Sequence, residues 1–421
     1  MLCGRVSRVR SSALGRRAVL CVLVSSSLAL AARPVAAAQA ASTPRDGARA
    51  AAATVQPPND PLFRHQWYLR AIQIPAAWAA SRGEGATVAV LDTGVAYATR
   101  GPYRRAPDLA GTRFVAGWDF VDDDPHPHDV APRDGRRSHG TQMAGIIAQT
   151  TNNAIGGAGV APAAAIMPIR VLRPNLSGTA TAIARGLRYA ADHGADIVNL
   201  SVAGRSQTRL VRDAVAYATA KGVTVVAASG NDGRASVSWP AADPKVVAVG
   251  AVARDLVRAP YSNYGEALDL VAPAGAGALG DSGYGPPDGV VAQTLKGGPS
   301  EFCFCFTAST SAAAAQVSGV AALLVATDRA RGPAAVRAAL LRGTRDLGPD
   351  GRDREHGAGM VQAARALGVS AGEPQTGPSS RPRTPAPDEG ADVRPALLVA
   401  AAFATGLALA LASRRRRRRA G

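Results

Sequence analysis

Five short runs of β-branched and small residues recur between positions 86 and 252: "ATVAVLD", "AAIMPIRVL", "ADIVNLSV", "GVTVVAAS" and "KVVAVGAV". Near-continuous apolar runs of this length suit strands covered on both faces, as in a parallel sheet. "GTATAIARGLRYAADHG" and "SQTRLVRDAVAYATAKG" lie between the later runs and read as helices ending at glycine. Strand and helix in alternation predict an α/β fold, a parallel β-sheet flanked by helices. In such sheets the active site lies at the carboxyl ends of the strands.

Charge and hydropathy set the boundaries of this domain. The chain of 421 residues carries a formal charge of +17, but twelve arginines at its two ends account for all except +5. The basic excess is therefore terminal and reads as targeting, with no nucleic-acid partner. Residues 1–39 begin with Arg5, Arg8, Arg10, Arg16 and Arg17, continue as "AVLCVLVSSSLALAA" and end in small residues. That is the layout of a secretory signal peptide. Residues 40–57 form a short N-terminal extension, 58–370 the domain, and 371–394 a Pro-rich linker. Residues 395–413 are uncharged and, at about 1.5 Å per residue, span about 28 Å, close to a bilayer's hydrocarbon core. Arg414 to Arg419 then form a basic tail that stops transfer of the helix and stays in the cytoplasm. The expected localisation is the cell membrane, single-pass, with the domain extracytoplasmic. Two cysteines remain in the domain, Cys303 and Cys305. In an extended segment they point to one side, where a bridge would be strained, and no disulfide framework is indicated.

Three local motifs fall at the ends of predicted elements. "VAVLDTGV" puts Asp92 just past a strand, "RSHGTQMAGIIAQ" puts His139 at the start of a helix, and "FTASTSAAAAQVSG" puts Ser311 at the start of another. Acyl transfer to water needs a hydroxyl nucleophile, an imidazole to take its proton and a carboxylate to orient the imidazole. The triplet "DTG" also occurs in aspartic peptidases, and a second such triplet exists at Asp281-Ser282-Gly283. "GDSGYGP" (280–286) mimics the serine motif of chymotrypsin-like enzymes. The first alternative requires an all-β double domain, and the second a His–Cys motif and several cysteines that this chain lacks.

The chain resembles the subtilisin-like (S8) serine peptidases, with a thermitase-like core. The resemblance covers about 58–368 and rests on the three motifs in the order Asp, His, Ser. It rests also on "NDPLFRHQWYLRAIQIPAAW", "GWDFVDDD", "NLSVAG", "VVAASGNDG", "WPAADPKVVAVGAV" and "YSNYGEALDLVAPAG". It implies that Asp92, His139 and Ser311 form the triad and that Asn231 is the side-chain donor of the oxyanion hole. It implies further that Ser201, Val202, Ala203 and Gly204 pair with an extended peptide substrate. No cofactor is implied for the chemistry. A structural calcium is implied at "TTNNAIGG" (150–157), held by backbone carbonyls of Thr151, Ile155 and Gly157 with the Asn153, Asp108 and Gln66 side chains. The sequence departs from the family's usual residues at Ser309 (usually Gly), Ala312 (Met), Ala315 (Pro), Gln316 (His) and Gln142 (often His). Ser309 stands two positions before Ser311, where an extra side chain narrows the site or tilts the helix. The loop 122–129, "DDDPHPHD", reads as a solvated acidic loop, with calcium a second reading and a transition metal held by His126 and His128 a third.

The function expected is a membrane-anchored, extracytoplasmic serine endopeptidase acting through an acyl-enzyme. The layout is similar to the mycosins of type VII secretion, which implies processing of secreted proteins and a secretion-machinery partner. The alternative is a catalytically inactive pseudo-peptidase serving as a scaffold in such a complex. Near 201–204 and 228–231 the sequence holds no charged side chain, so a neutral or apolar residue is expected at the scissile position.

Overall fold

A computed structural model of the chain describes residues 56–277 and 288–370. The signal peptide, most of the N-terminal extension, the linker, the expected membrane span, the Arg tail and the loop carrying Asp281 lie outside the described residues. Among the described residues no helix is long and apolar enough to cross a membrane.

The strands are β1 (Thr87–Asp92), β2 (Arg113–Phe114), β3 (Trp118–Asp119), β4 (Ala165–Arg170) and β5 (Ile197–Leu200). They continue as β6 (Thr224–Ala228), β7 (Val247–Val252), β8 (Leu270–Pro273), β9 (Val290–Gly297) and β10 (Glu301–Thr307). The helices are α1 (Trp67–Ala71), α2 (Ile74–Ala77), α3 (Gly140–Ala148), α4 (Ala180–Asp192), α5 (Arg209–Ala220), α6 (Thr310–Ala326), α7 (Pro333–Arg342) and α8 (Ala363–Ala366). All five predicted strands form, and both predicted helices are capped by threonine: Thr179 Oγ1 accepts the Ala182 N–H and Thr208 Oγ1 the Val211 N–H.

The sheet runs β2-β4-β1-β5-β6-β7-β8, with β3 also pairing β4, and every pairing in it is parallel. After β1 the chain crosses to β4 on one side and returns to β5 on the other, so β1 sits at the point where strand order reverses. The crevice at such a switch point opens at the carboxyl ends of the strands, and Asp92 is the last residue of β1.

Helix α6 crosses the sheet wholly inside the protein, buried from Thr310 to Leu324. A helix buried all round needs no amphipathic pattern. Its small side chains from Ala312 to Ala315 let it approach the strands closely. Antiparallel β9 and β10 form a separate hairpin leading straight into this helix. Cys303 and Cys305 are joined by a disulfide on β10, with Cα atoms 5.6 Å apart.

Candidate active site

Asp92 is fully buried at the end of β1, where its Oδ1 accepts the Thr93 N–H at 2.7 Å. His139 is the N-cap of α3, and its Nδ1 lies 2.8 Å from both Asp92 oxygens. The carboxylate only accepts, so Nδ1 carries the proton and Nε2 keeps a lone pair. Burial disfavours a charged His139, yet the Asp92 carboxylate and its hydrogen bond outweigh it and hold the imidazole above its ordinary range. This approach demands glycine at two places. A Cβ on Gly140 would meet the Gly94 carbonyl at 2.1 Å, and one on Gly94, at φ +104°, would meet the His128 carbonyl at 2.4 Å.

Ser311 is the second residue of α6, and the two hydroxyls just before it hold the helix start. Ser309 is the N-cap: its Oγ accepts the Ala312 N–H at 3.2 Å. Its φ of −165° is extended backbone that any residue adopts. The side chain that the sequence marks as an intruder therefore caps the helix. Thr310 donates its N–H and hydroxyl to Asn231 Oδ1, at 2.8 and 2.9 Å. An N–H can only donate, so this contact fixes which end of the Asn231 amide is oxygen. The Asn231 NH2 is left as the free end, and the Ser311 N–H, within the first turn, has no partner inside the helix.

His139, Asn231, Ser309, Thr310 and Ser311 line one cavity of about 450 Å³ with Ser201 to Gly204. Ser201 is buried and supports α6: its Oγ takes a hydrogen bond from Asn199 Nδ2 at 3.0 Å and donates to the Ser311 carbonyl at 3.4 Å. Asn199 Oδ1 in turn accepts from Ser318 Oγ at 3.0 Å. Gly204 exchanges both backbone hydrogen bonds with Trp239, at 2.7 and 2.9 Å. Its N–H and carbonyl are thus both engaged within the protein. Leu172, Leu176, Ile183 and Val211 form an apolar end of the cavity, while Asp243 and Arg212 also reach its lining. The sequence windows 201–204 and 228–231 missed both charges, which come from a helix and a turn elsewhere in the chain.

The model of the peptidase S8, or subtilase, family matches residues 83–359. The chain belongs to the subtilase family. It is similar to thermitase of Thermoactinomyces vulgaris, 43% identical over 217 residues, which are 51% of this chain and 73% of thermitase. It is similar also to a thermophilic serine proteinase of Bacillus sp. strain AK1, 38% identical over 275 residues, or 65% of this chain and 60% of that protein. Among solved structures it resembles a protease of Pseudoalteromonas arctica PAMC 21717, with a TM-score of 0.64 at 31% identity over 74% of this chain and 99% of that one. This subtilase is a serine endopeptidase, and subtilases require no cofactor for catalysis.

The remaining departures are accommodated locally. In this subtilase Gln142 donates its amide to the Cys305 carbonyl at 2.8 Å, and Gln316 donates to the Pro273 carbonyl at 2.6 Å. Both tie a buried helix to a neighbouring strand. Ser309→Ala is expected to cost about 1 kcal/mol of stability and Ser309→Gly only a few tenths. Urea unfolding measures both, and an unchanged kcat/KM in Ser309→Gly would show that the hydroxyl does not obstruct the cavity.

The residues matched to a calcium site do gather in one place. Asp108 is buried, its Oδ1 accepts from Asn153 Nδ2 at 2.8 Å and its Oδ2 from the Gly157 N–H at 3.2 Å. Burial, with the nearby Asp60 carboxylate, pushes its carboxyl up to about 7 against the lowering by these hydrogen bonds. Gln66 Oε1 accepts the Ala158 N–H at 2.7 Å, Asn153 Oδ1 the Ile155 N–H at 2.9 Å, and the Thr151 hydroxyl donates to the Gln149 carbonyl at 3.1 Å. Carboxylate and amide oxygens are the donors a hard cation takes, but here each accepts an N–H, so a bound cation would replace these contacts.

The acidic loop is solvated only in part. Arg170 pairs Asp119 at 2.6 Å and also Asp122, and Arg185 pairs Asp123 at 2.9 Å. Beyond Pro125 the loop folds inward. His128 is buried and stacked between Tyr97 and Tyr103, at ring separations of 4.8 and 4.3 Å. Burial lowers its pKa to about 4, so it is neutral. Asp129 follows it into the core.

Proposed function

We propose that this subtilase is an active, extracytoplasmic, membrane-anchored endopeptidase in which Ser311 attacks the scissile carbonyl. His139 Nε2 takes the Ser311 hydroxyl proton and later gives it to the leaving amine. Asp92 holds the imidazole in the required tautomer and stabilises the imidazolium. The Asn231 amide and the Ser311 N–H receive the oxyanion, the latter aided by the positive end of α6. Water then releases the acyl group from Ser311. The observation that carries this reading is the Asp92–His139 pair at 2.8 Å beside a cavity shared with Ser311 and Asn231. A fluorophosphonate is expected to label Ser311 in folded protein, and absence of the adduct would sink the reading.

The terminal segments support the location: a signal-type N-terminus, a Pro-rich linker, an uncharged stretch at 395–413 and a basic tail. A mycosin-like role in processing secreted proteins follows from the same layout. Carbonate-resistant membrane association that is lost on removing residues 395–421 tests the anchor.

Calcium belongs to the same proposal as a stabilising ion held by Asp108, Asn153, Gln66 and the 151–157 carbonyls. Saturating calcium at 100-fold above its Kd is expected to stabilise the fold by about 2.7 kcal/mol. Asp108→Asn is expected to abolish that increment, and a melting temperature indifferent to chelator would remove calcium from the account.

A further inference from the structure

Asp129 is a buried carboxylate that the Asp92–His139–Ser311 reading leaves without a role. It is 1% exposed, and four donors saturate its two oxygens. Oδ1 accepts from the Thr93 hydroxyl at 2.8 Å and the Val130 N–H at 2.9 Å. Oδ2 accepts from the Thr141 N–H at 2.9 Å and the Thr141 hydroxyl at 2.6 Å. The other contacts of the two hydroxyls fix their direction. Thr93 Oγ1 accepts the Gly140 N–H at 2.9 Å, and Thr141 Oγ1 accepts the Ala96 N–H at 3.0 Å. Each hydroxyl proton is therefore left for Asp129. A neutral carboxyl would have to point its own proton at an atom already pointing one back. Burial outweighs these hydrogen bonds and holds the Asp129 carboxyl above its ordinary range, so the case for the ionised form rests on the donor geometry.

These partners flank the reacting pair. Thr93 directly follows Asp92, and Thr141 lies two residues after His139 in the first turn of α3. The carboxylate thus sits at the positive end of that helix. Asp92 and Asp129 both favour the charged form of the His139 imidazole.

We propose that Asp129 is a positioning residue of the peptidase reaction: an ionised carboxylate that locks the Asp92 turn to the start of the His139 helix and favours the imidazolium formed as Ser311 attacks. The inference rests on His139 being the general base. No proton passes to Asp129; it acts through Thr93, Thr141 and its charge.

The test compares Asp129→Asn with the parent. His139 titration is followed by NMR in a Ser311→Ala background, which prevents self-digestion, and pH profiles of kcat and kcat/KM are measured with Ser311 intact. In Asp129→Asn both the His139 titration and the acidic limb of kcat/KM are expected to move down by about one pH unit. The loss of a fixed geometry is expected to lower kcat about 10- to 100-fold with KM little changed. A folded variant whose His139 titrates as in the parent overturns the proposal, even if kcat falls. Should Asp129→Asn not fold, Thr93→Val is expected to lower kcat about 10-fold and Thr93→Ser to retain it; parental kcat in Thr93→Val overturns the proposal equally. The NMR titration needs no turnover, so failure of the peptidase reading and failure of this inference are separate results.

Discussion

Ser311→Ala is expected to lower turnover at least about 1,000-fold while leaving the fold intact. The hydroxyl is the only group of residue 311 that the mechanism consumes, and the backbone N–H of the same residue survives the change. The Ser309 cap and the Thr310–Asn231 contacts do not involve the Ser311 side chain, so α6 should still begin at the same place. What persists is the activity of a preorganised oxyanion site on bound substrate, which still exceeds reaction in water. Steady-state cleavage of a chromogenic peptide measures the loss. A variant keeping more than a tenth of parental kcat would remove Ser311 as the nucleophile.

Asn231→Leu is expected to lower kcat about 100- to 1,000-fold with little change in KM, the scale general to a lost oxyanion donor in subtilisin-type enzymes. The oxyanion exists only after attack, so the lost donor is missed in the transition state and not in the bound substrate. Leucine also removes the acceptor for Thr310, whose N–H and hydroxyl lie 2.8 and 2.9 Å from Asn231 Oδ1. Asn231→Asp separates the two effects: it keeps an acceptor for Thr310 while removing the donor. Both variants should therefore lose kcat, with Asn231→Asp the more stable in urea. Equal and large increases in KM for both would place Asn231 in ground-state binding instead.

The sheet was readable because strands buried on both faces leave continuous apolar runs, and the five runs recognised this way all lie in it. Asp92, His139 and Ser311 were readable because each sits at an element boundary beside residues with backbone roles. Glycine allows the close approach at 94 and 140, and small residues allow burial after 311. Asp129 was hidden for the opposite reason. It is one of several acids in a short segment, and local composition alone makes the whole segment look solvated. Only the docking of residues 127–129 against Gly94, and of Gly140 against the same turn, puts two threonines around its carboxylate. The cap that Ser309 forms was hidden because it depends on φ and on the Ala312 N–H, neither of which residue type reveals.

The sequence by itself determined the alternation of strand and helix, through periodicity, and the family, through the resemblance of its short motifs, which also single out Asp92, His139 and Ser311 as the proposed triad. Tertiary structure decided which hydroxyl caps a helix, which end of Asn231 faces the cavity, and that Gly204 spends its backbone on Trp239. It also decided that Asp243 and Arg212 reach the substrate cavity and that Asp129 is enclosed. Each of these is a hydrogen bond or an approach between segments far apart in the chain, and its direction exists only once the partners are brought together.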